Sequence, residues 1–177
     1  MAGLASNHPE INFIGMDLKS DMLGFARRKI VQAYEEKGYE VDNVILVAYD
    51  IERILDVFSK EDEIDRIYIN FCNPWPRPKH RKKRLTHTRQ LEKYKIFLKN
   101  GAKIYFKTDD DALFADSLKY FEEAGFKLVK KTEDLHAENE KENIQTEHEM
   151  MFSQQGIKIK AAIFENMREE RDILCGH

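Results

Sequence analysis

Residues 43–73 read NVILVAYDIERILDVFSKEDEIDRIYINFCN, with two apolar segments, residues 43–49 and 64–71, on either side of a short helix-like segment. Aliphatic, β-branched and aromatic residues in short runs favour strands, and a helix between two strands is typical of a parallel pair. Asp50 follows the first strand and Asn73 lies just past the second. The stretch therefore predicts an α/β fold with its ligand site at the carboxyl ends of the strands.

The same alternation extends in both directions along the chain. Upstream, residues 12–16 predict a strand that ends at Asp17, and residues 19–37 predict a helix that stops at Gly38. Downstream, the patterns predict helices over 86–99 and 110–124 and strands over 102–107, 126–130 and 158–164. We therefore expect a three-layer sandwich with a mostly parallel sheet. Residues 1–166 would form one domain and residues 167–177 a charged tail.

Composition limits the class of protein. The 177 residues are 42% hydrophobic and 34% charged, which suits a globular domain with a core. No apolar run is long enough to span a membrane, and the first residues do not resemble a secretion signal. Cys72 and Cys175 lie far apart without metal-ligand spacing, which is typical of incidental thiols in a reducing compartment. These features predict a cytoplasmic protein with no membrane or metal partner.

The net charge of −3 hides two oppositely charged segments. Residues 77–91 carry seven basic side chains and no acidic one, whereas residues 133–149 carry seven acidic side chains and one lysine. The basic segment follows Trp75, which stands between two prolines. Basic side chains bind phosphates and an aromatic ring can stack on a base, so this segment predicts RNA contact. The alternative is a solvated loop with Trp75 packed in the core.

Polar residues follow four of the predicted strands: Asp17, Asp50, Asn73 and Asp109. Such residues at neighbouring strand ends predict a site for a nucleotide-like ligand. Each could instead cap a helix or stabilise a turn.

Three ordered motifs carry a resemblance to a known family. They are NFCNPWPRPKHRKKRLT at residues 70–86, FKTD at residues 106–109 and NIQTEHE at residues 143–149. The set resembles the bacterial tRNA (guanine-N7-)-methyltransferases over residues 1–164. The resemblance implies a class I methyltransferase (Rossmann-like) fold, S-adenosylmethionine as methyl donor and tRNA as acceptor, with guanosine 46 of the variable loop as target.

The resemblance also assigns roles to residues. It places Asp17 at the cofactor ribose, Asp50 near the adenine and Asn73 beside the methyl donor. The target guanine would be held by Asp109, Thr146 and Glu149, so Asn73 and Asp109 are the predicted catalytic residues. The remaining predicted tRNA contacts are Arg77, Lys79, His80, Arg81, Lys82, Lys83 and Arg84.

The chain departs from the family pattern at its start. The family begins with a strand and a glycine-rich turn of the type E-x-G-x-G-x-G, whereas no two of the eight glycines here lie within four residues of each other. We therefore expect a sheet without its first strand, with residues 1–5 at the end of the helix that follows the turn. Two alternatives to a tRNA methyltransferase remain open: a non-catalytic RNA-binding remnant of the family, and a small-molecule methyltransferase, which would leave the basic segment unexplained. Both a monomer and a homodimer are compatible with the sequence.

Overall fold

The computed structural model describes residues 1–138 and 145–167, in two compact units that divide after Ile54. The predicted tail beyond Met167, Cys175 and the first two residues of the NIQTEHE motif lie outside the described residues. Among the described residues, no helix combines the length and the apolar character that crossing a membrane requires.

The first unit contains a two-stranded parallel sheet. Its elements are α1 (Ala2–Asn7), β1 (Phe13–Asp17), α2 (Ser20–Glu35) and β2 (Val44–Ala48). A 3-10 helix over Ile51–Asp56 contains the boundary between the two units. Ala5 of α1 and Ile30 and Tyr34 of α2 form a buried cluster, against which Phe13 and Leu46 of the strands pack. The face of α2 that carries Ile30 and Tyr34 is therefore buried with α1 against the paired strands.

A buried asparagine secures the connection into β1. Asn43 donates hydrogen bonds from Nδ2 to the carbonyl oxygens of Ile11, at 2.7 Å, and His8, at 3.1 Å, and its Oδ1 accepts from the Tyr34 hydroxyl. These bonds satisfy backbone groups that the short loop from α1 would otherwise leave unpaired.

The second unit contains a four-stranded mixed sheet. Its elements are β3 (Ile64–Asn70), a 3-10 helix over Pro78–Lys83, α3 (Thr88–Phe97), β4 (Leu98–Thr108), α4 (Asp111–Glu123), β5 (Phe126–Thr132), α5 (Glu147–Gln154) and β6 (Lys160–Asn166). The strand order is β3-β4-β6-β5; β3 and β4 are parallel, and β6 is antiparallel to both β4 and β5. Because β6 alone runs against the others in this sheet, the predicted mostly parallel character holds.

Aromatic packing forms much of the core of this unit. The rings of Phe121 in α4 and Phe164 in β6 stack with centroids 3.6 Å apart, and both side chains are buried. Gly125 separates α4 from β5 and has φ of +75°, a conformation that glycine adopts at little steric cost. The elements predicted for this part of the chain are present, and α5 was not predicted.

Candidate functional site

In the first unit, Asp17 and Asp50 follow the carboxyl ends of two paired strands. β1 and β2 are in parallel register, with Asp17 opposite Ala48. Asp17 Oδ1 accepts a hydrogen bond from the backbone N–H of Lys19 at 2.7 Å. Asp50 Oδ1 accepts from the backbone N–H of Glu52 at 2.9 Å. In each carboxylate, one oxygen thus accepts a hydrogen bond within its own turn.

In the second unit, Asn73 and Asp109 follow the carboxyl ends of β3 and β4. Asn70 at the end of β3 pairs with Lys107 of β4, and the ladder continues through a bond of 2.9 Å from the N–H of Phe71 to the carbonyl of Lys107. Asn73 is exposed, and Asp109 is half-buried. The structure therefore brings the two predicted catalytic residues to the carboxyl ends of adjacent parallel strands, as the alternation predicts.

The turn that carries Asn73 is strained at both ends. Phe71 has φ of 53° and Trp75 has φ of 41°, both in the left-handed region that bulky residues rarely adopt. Each such residue costs on the order of 1–3 kcal/mol and persists only where its surroundings hold it. Asn73 contributes locally, since its Oδ1 accepts from the backbone N–H of Trp75 at 3.0 Å.

The basic segment folds back onto Trp75. The His80 ring meets the Trp75 ring edge-on at a centroid distance of 5.6 Å, and Lys83 Nζ lies 5.4 Å from the centroid of the indole. Trp75 is half-buried, so its exposure lies between that expected of a ring free to stack on a base and that expected of a core residue. Most of the predicted tRNA contacts of this segment are exposed: Arg77, Lys79, Arg81, Lys82 and Lys83.

Arg84 differs from the rest of the basic segment because it is an interior residue. Its side chain is 1% exposed. The guanidinium donates from Nε to the carbonyl of Pro74 at 2.7 Å and from Nη1 to Asp116 Oδ2 at 2.7 Å. The basic pattern predicts that Arg84 binds phosphate with its neighbours, and the structure corrects this prediction: the guanidinium is buried and pairs with the Pro74 carbonyl and Asp116 instead.

Thr146 and Glu149 form the N-terminus of α5. Thr146 Oγ1 accepts from the backbone N–H of Glu149 at 3.2 Å, and Glu149 Oε2 accepts from the N–H of Thr146 at 2.8 Å. This reciprocal pair is a capping box. Glu149 is fully buried, and Lys107 Nζ lies 3.2 Å from Oε2 and 3.3 Å from Oε1. Sequence reasoning missed Lys107, although the Thr-x-x-Glu spacing was a readable signal for the helix start.

Ring contacts bring α5 against the turn. Phe71 lies 5.2 Å from His148 and 6.0 Å from Phe152, measured between ring centroids. Because Phe71 begins the strained turn, these contacts place the Thr146–Glu149 capping box and the Asn73 turn at the same end of the sheet.

Cys72 lies inside this turn, and burial raises the pKa of its thiol to about 12. A thiol with this pKa stays protonated at neutral pH, so Cys72 is no candidate nucleophile. The described part of the chain contains no group of three or more histidine, cysteine or acidic side chains that could hold a metal ion.

Comparison with known proteins yields a family model and several relatives. The model, described as "Putative methyltransferase", matches residues 1–162. The chain is similar to a tRNA (guanine-N(7)-)-methyltransferase of Clostridium beijerinckii, with 58% identity over 163 residues, 92% of this chain and 74% of the relative. A second such relative, from Ruminiclostridium cellulolyticum, is 50% identical over 173 residues, 97% of this chain and 73% of the relative.

Among solved structures, the chain resembles an rRNA methylase from Streptococcus thermophilus, with a TM-score of 0.52, 16% identity and coverage of 89% of this chain and 74% of that one. At this level of identity the likeness concerns the fold, which is that of the class I methyltransferases, as predicted.

Proposed function

Because the chain belongs to the family of tRNA (guanine-N7-)-methyltransferases, we propose that it uses S-adenosylmethionine to methylate N7 of the variable-loop guanosine of tRNA. The chain is a methyltransferase that acts on guanine N7 in tRNA. The observation that carries this conclusion is the similarity, over more than nine-tenths of the chain, to curated enzymes of that name. We further propose the methyl donor, the position of the guanosine and the roles of individual residues.

The side chains of the first unit suit an adenosine-containing donor. A carboxylate can accept hydrogen bonds from both hydroxyls of a ribose, and Asp17 stands after β1 where such a contact is made in dinucleotide-binding folds. Asp50, after β2, can accept from the amino group of an adenine. Since each carboxylate uses one oxygen in its own turn, the second oxygen is the one we assign to the ligand.

The methyl donor supplies an activated methyl group on a positively charged sulfur. N7 of guanine carries a lone pair that needs no deprotonation, so no general base is required. Asn73 suits a reaction that needs no general base, because a carboxamide cannot remove a proton but can orient a ligand. Its Oδ1 is engaged by Trp75, so we assign its amide nitrogen to a ligand acceptor beside the reacting centre. Its contribution is alignment.

Asp109 would hold the guanine. Its carboxylate can accept from the N–H groups of the Watson–Crick edge and leave N7 on the opposite side free. A negative charge there also stabilises the positive charge that develops on the methylated ring. Lys79, Lys82 and Lys83, all exposed, would bind phosphates of the tRNA backbone.

The experiment that tests this proposal measures methyl transfer from labelled S-adenosylmethionine to unmodified tRNA. A matched tRNA with adenosine in place of guanosine 46 serves as control. We expect label in the first tRNA, at a site that yields strand cleavage after chemical treatment specific for N7-methylguanosine, and none in the control. Label in both tRNAs would contradict the assigned position. No label from folded protein that still binds tRNA would favour the non-catalytic remnant.

A further inference from the structure

We propose that Arg84 is a positioning residue that, together with Asp116, holds the Asn73 turn in the conformation required for methyl transfer. The Asn73 turn is here residues 71–75. The inference deepens the proposed function and rests on it, since it concerns how the chain presents Asn73 to the reacting groups.

The Asn73 turn needs support from outside the turn. Phe71 and Trp75 both occupy the left-handed region, with φ of 53° and 41°. Neither residue is a glycine or an asparagine, the residues that tolerate this region. The hydrogen bond from the Trp75 N–H to Asn73 lies within the turn and does not fix it to the rest of the unit.

Arg84 connects the Asn73 turn to a helix. The carbonyl of Pro74 lies between Asn73 and Trp75 and accepts from Arg84 Nε at 2.7 Å. The same guanidinium donates from Nη1 to Asp116 at 2.7 Å, and Asp116 belongs to α4. Because the guanidinium is planar, these two bonds fix the direction as well as the distance between the carbonyl and the helix.

The segment after Arg84 is itself hydrogen-bonded to α4. Thr86 and Ser117 are both buried, and their hydroxyl oxygens lie 2.7 Å apart in a hydrogen bond. Ser117 directly follows Asp116, so two consecutive positions of α4 hold the segment. α4 in turn begins at a capped N-terminus, where Asp110 Oδ1 accepts from the Leu113 N–H. The support is therefore part of regular structure rather than of a free loop.

Burial separates this role from phosphate binding. The Arg84 side chain is 1% exposed, whereas that of Arg81, which also approaches Asp116 at 3.4 Å, is 44% exposed. A buried guanidinium is costly unless it is paired, and here a carbonyl and a carboxylate supply the pairing. Its interactions are thus spent inside the protein.

The test compares Arg84→Lys with Asp116→Asn and uses two readouts. A lysine keeps the charge but has no planar pair of donors, so the Pro74 carbonyl loses its fixed position. We expect kcat to fall about 10- to 100-fold, the range that a displacement of about 1 Å can produce, with little change in KM for tRNA. Trp75 is the single tryptophan of the chain, so its emission and its quenching by acrylamide report on the turn. We expect both to change in both variants.

Two control variants accompany them. Phe126→Leu removes packing from β5, at the opposite edge of the sheet from β3, and should lower stability while kcat and the Trp75 emission stay at their wild-type values. Arg81→Gln removes the other arginine near Asp116 and should raise KM for tRNA without altering the Trp75 emission.

The outcomes are distinguishable. If Arg84→Lys is folded and keeps both kcat and the wild-type Trp75 emission, the proposal is overturned. A loss confined to KM and to the salt dependence of binding would instead assign Arg84 to the tRNA backbone. If Arg84→Lys does not fold, Asp116→Asn decides by the same criteria. An inactive wild-type chain would refute the proposed function, but the Trp75 measurements would still show whether Arg84 holds the turn.

Discussion

Replacing Glu149 by glutamine tests whether the buried pair with Lys107 stabilises the second unit. Glutamine keeps the shape of the side chain and can still accept from the Thr146 N–H, so the capping box is retained. What is lost is the negative charge 3.2 Å from Lys107 Nζ. The Glu149 side chain is fully buried and that of Lys107 is 14% exposed, so in the variant the mostly buried ammonium would lose the Glu149 carboxylate.

The magnitude follows from this burial. Removing one member of a fully buried ion pair costs about 3–5 kcal/mol. Because Lys107 retains some access to water, we expect Glu149→Gln to lower the free energy of unfolding by about 2–3 kcal/mol. Removing the cap with Thr146→Ala should cost less, about 1 kcal/mol. The single variant Lys107→Met removes the ammonium instead. In the double variant Lys107→Met/Glu149→Gln both charges of the pair are gone, so its loss should be about 2 kcal/mol smaller than the sum of the losses in Lys107→Met and Glu149→Gln.

The assay is equilibrium unfolding in urea, followed by far-ultraviolet circular dichroism and by the emission of Trp75 in the second unit. All four variants and the wild type are measured at one pH and one salt concentration. If the two single losses add up in the double variant within about 0.5 kcal/mol, the two side chains act independently and the reasoning from their burial is refuted.

Three further outcomes are expected. Lys82→Gln with Lys83→Gln should weaken tRNA binding and reduce the slope of log K against log salt by about 1–2, measured by filter binding, and an unchanged slope would exclude these phosphate contacts. Asp109→Ala should lower the methylation rate by more than it lowers tRNA affinity, and equal losses would contradict a base-positioning role. His87 Nδ1 accepts a hydrogen bond from the Arg89 N–H, and burial lowers the pKa of the His87 imidazole in the folded protein. Because the unfolded chain then binds the proton more readily, the free energy of unfolding should fall as pH drops below about 6.5. His87→Asn keeps a helix cap and should make the decrease in the urea midpoint between pH 7.5 and pH 5.5 smaller than in the wild type. An identical decrease in both proteins would contradict the role of His87 in this pH dependence.

Local patterns were enough to predict the elements that carry the polar strand ends. The apolar runs that precede Asp17, Asp50 and Asn73 are short, bounded by polar residues and rich in residues that favour strands, and each is a strand in the structure. In these segments the local preference agrees with the tertiary environment, which is why the sequence suffices.

Long-range contacts decided what the sequence could not show. Arg84 has the same local character as Lys82 and Lys83, and only its pairing with Asp116, 32 residues later, makes it an interior residue. Helix α5 could not be predicted for another reason. The acidic composition around it favours a solvated loop, whereas Glu149 is buried against Lys107, which lies in a strand 42 residues earlier. Composition cannot reveal such a partner.

The three turns that follow β1, β2 and β3 share one local arrangement. In each, Oδ1 of Asp17, Asp50 or Asn73 accepts a hydrogen bond from the backbone N–H two residues later. Aspartate and asparagine both supply that oxygen, so either residue can build the turn at any of the three positions. The charge presented at each strand end can therefore change over evolutionary time without a change in backbone conformation. At each of these strand ends, the charge of the side chain and the geometry of the turn can therefore vary separately.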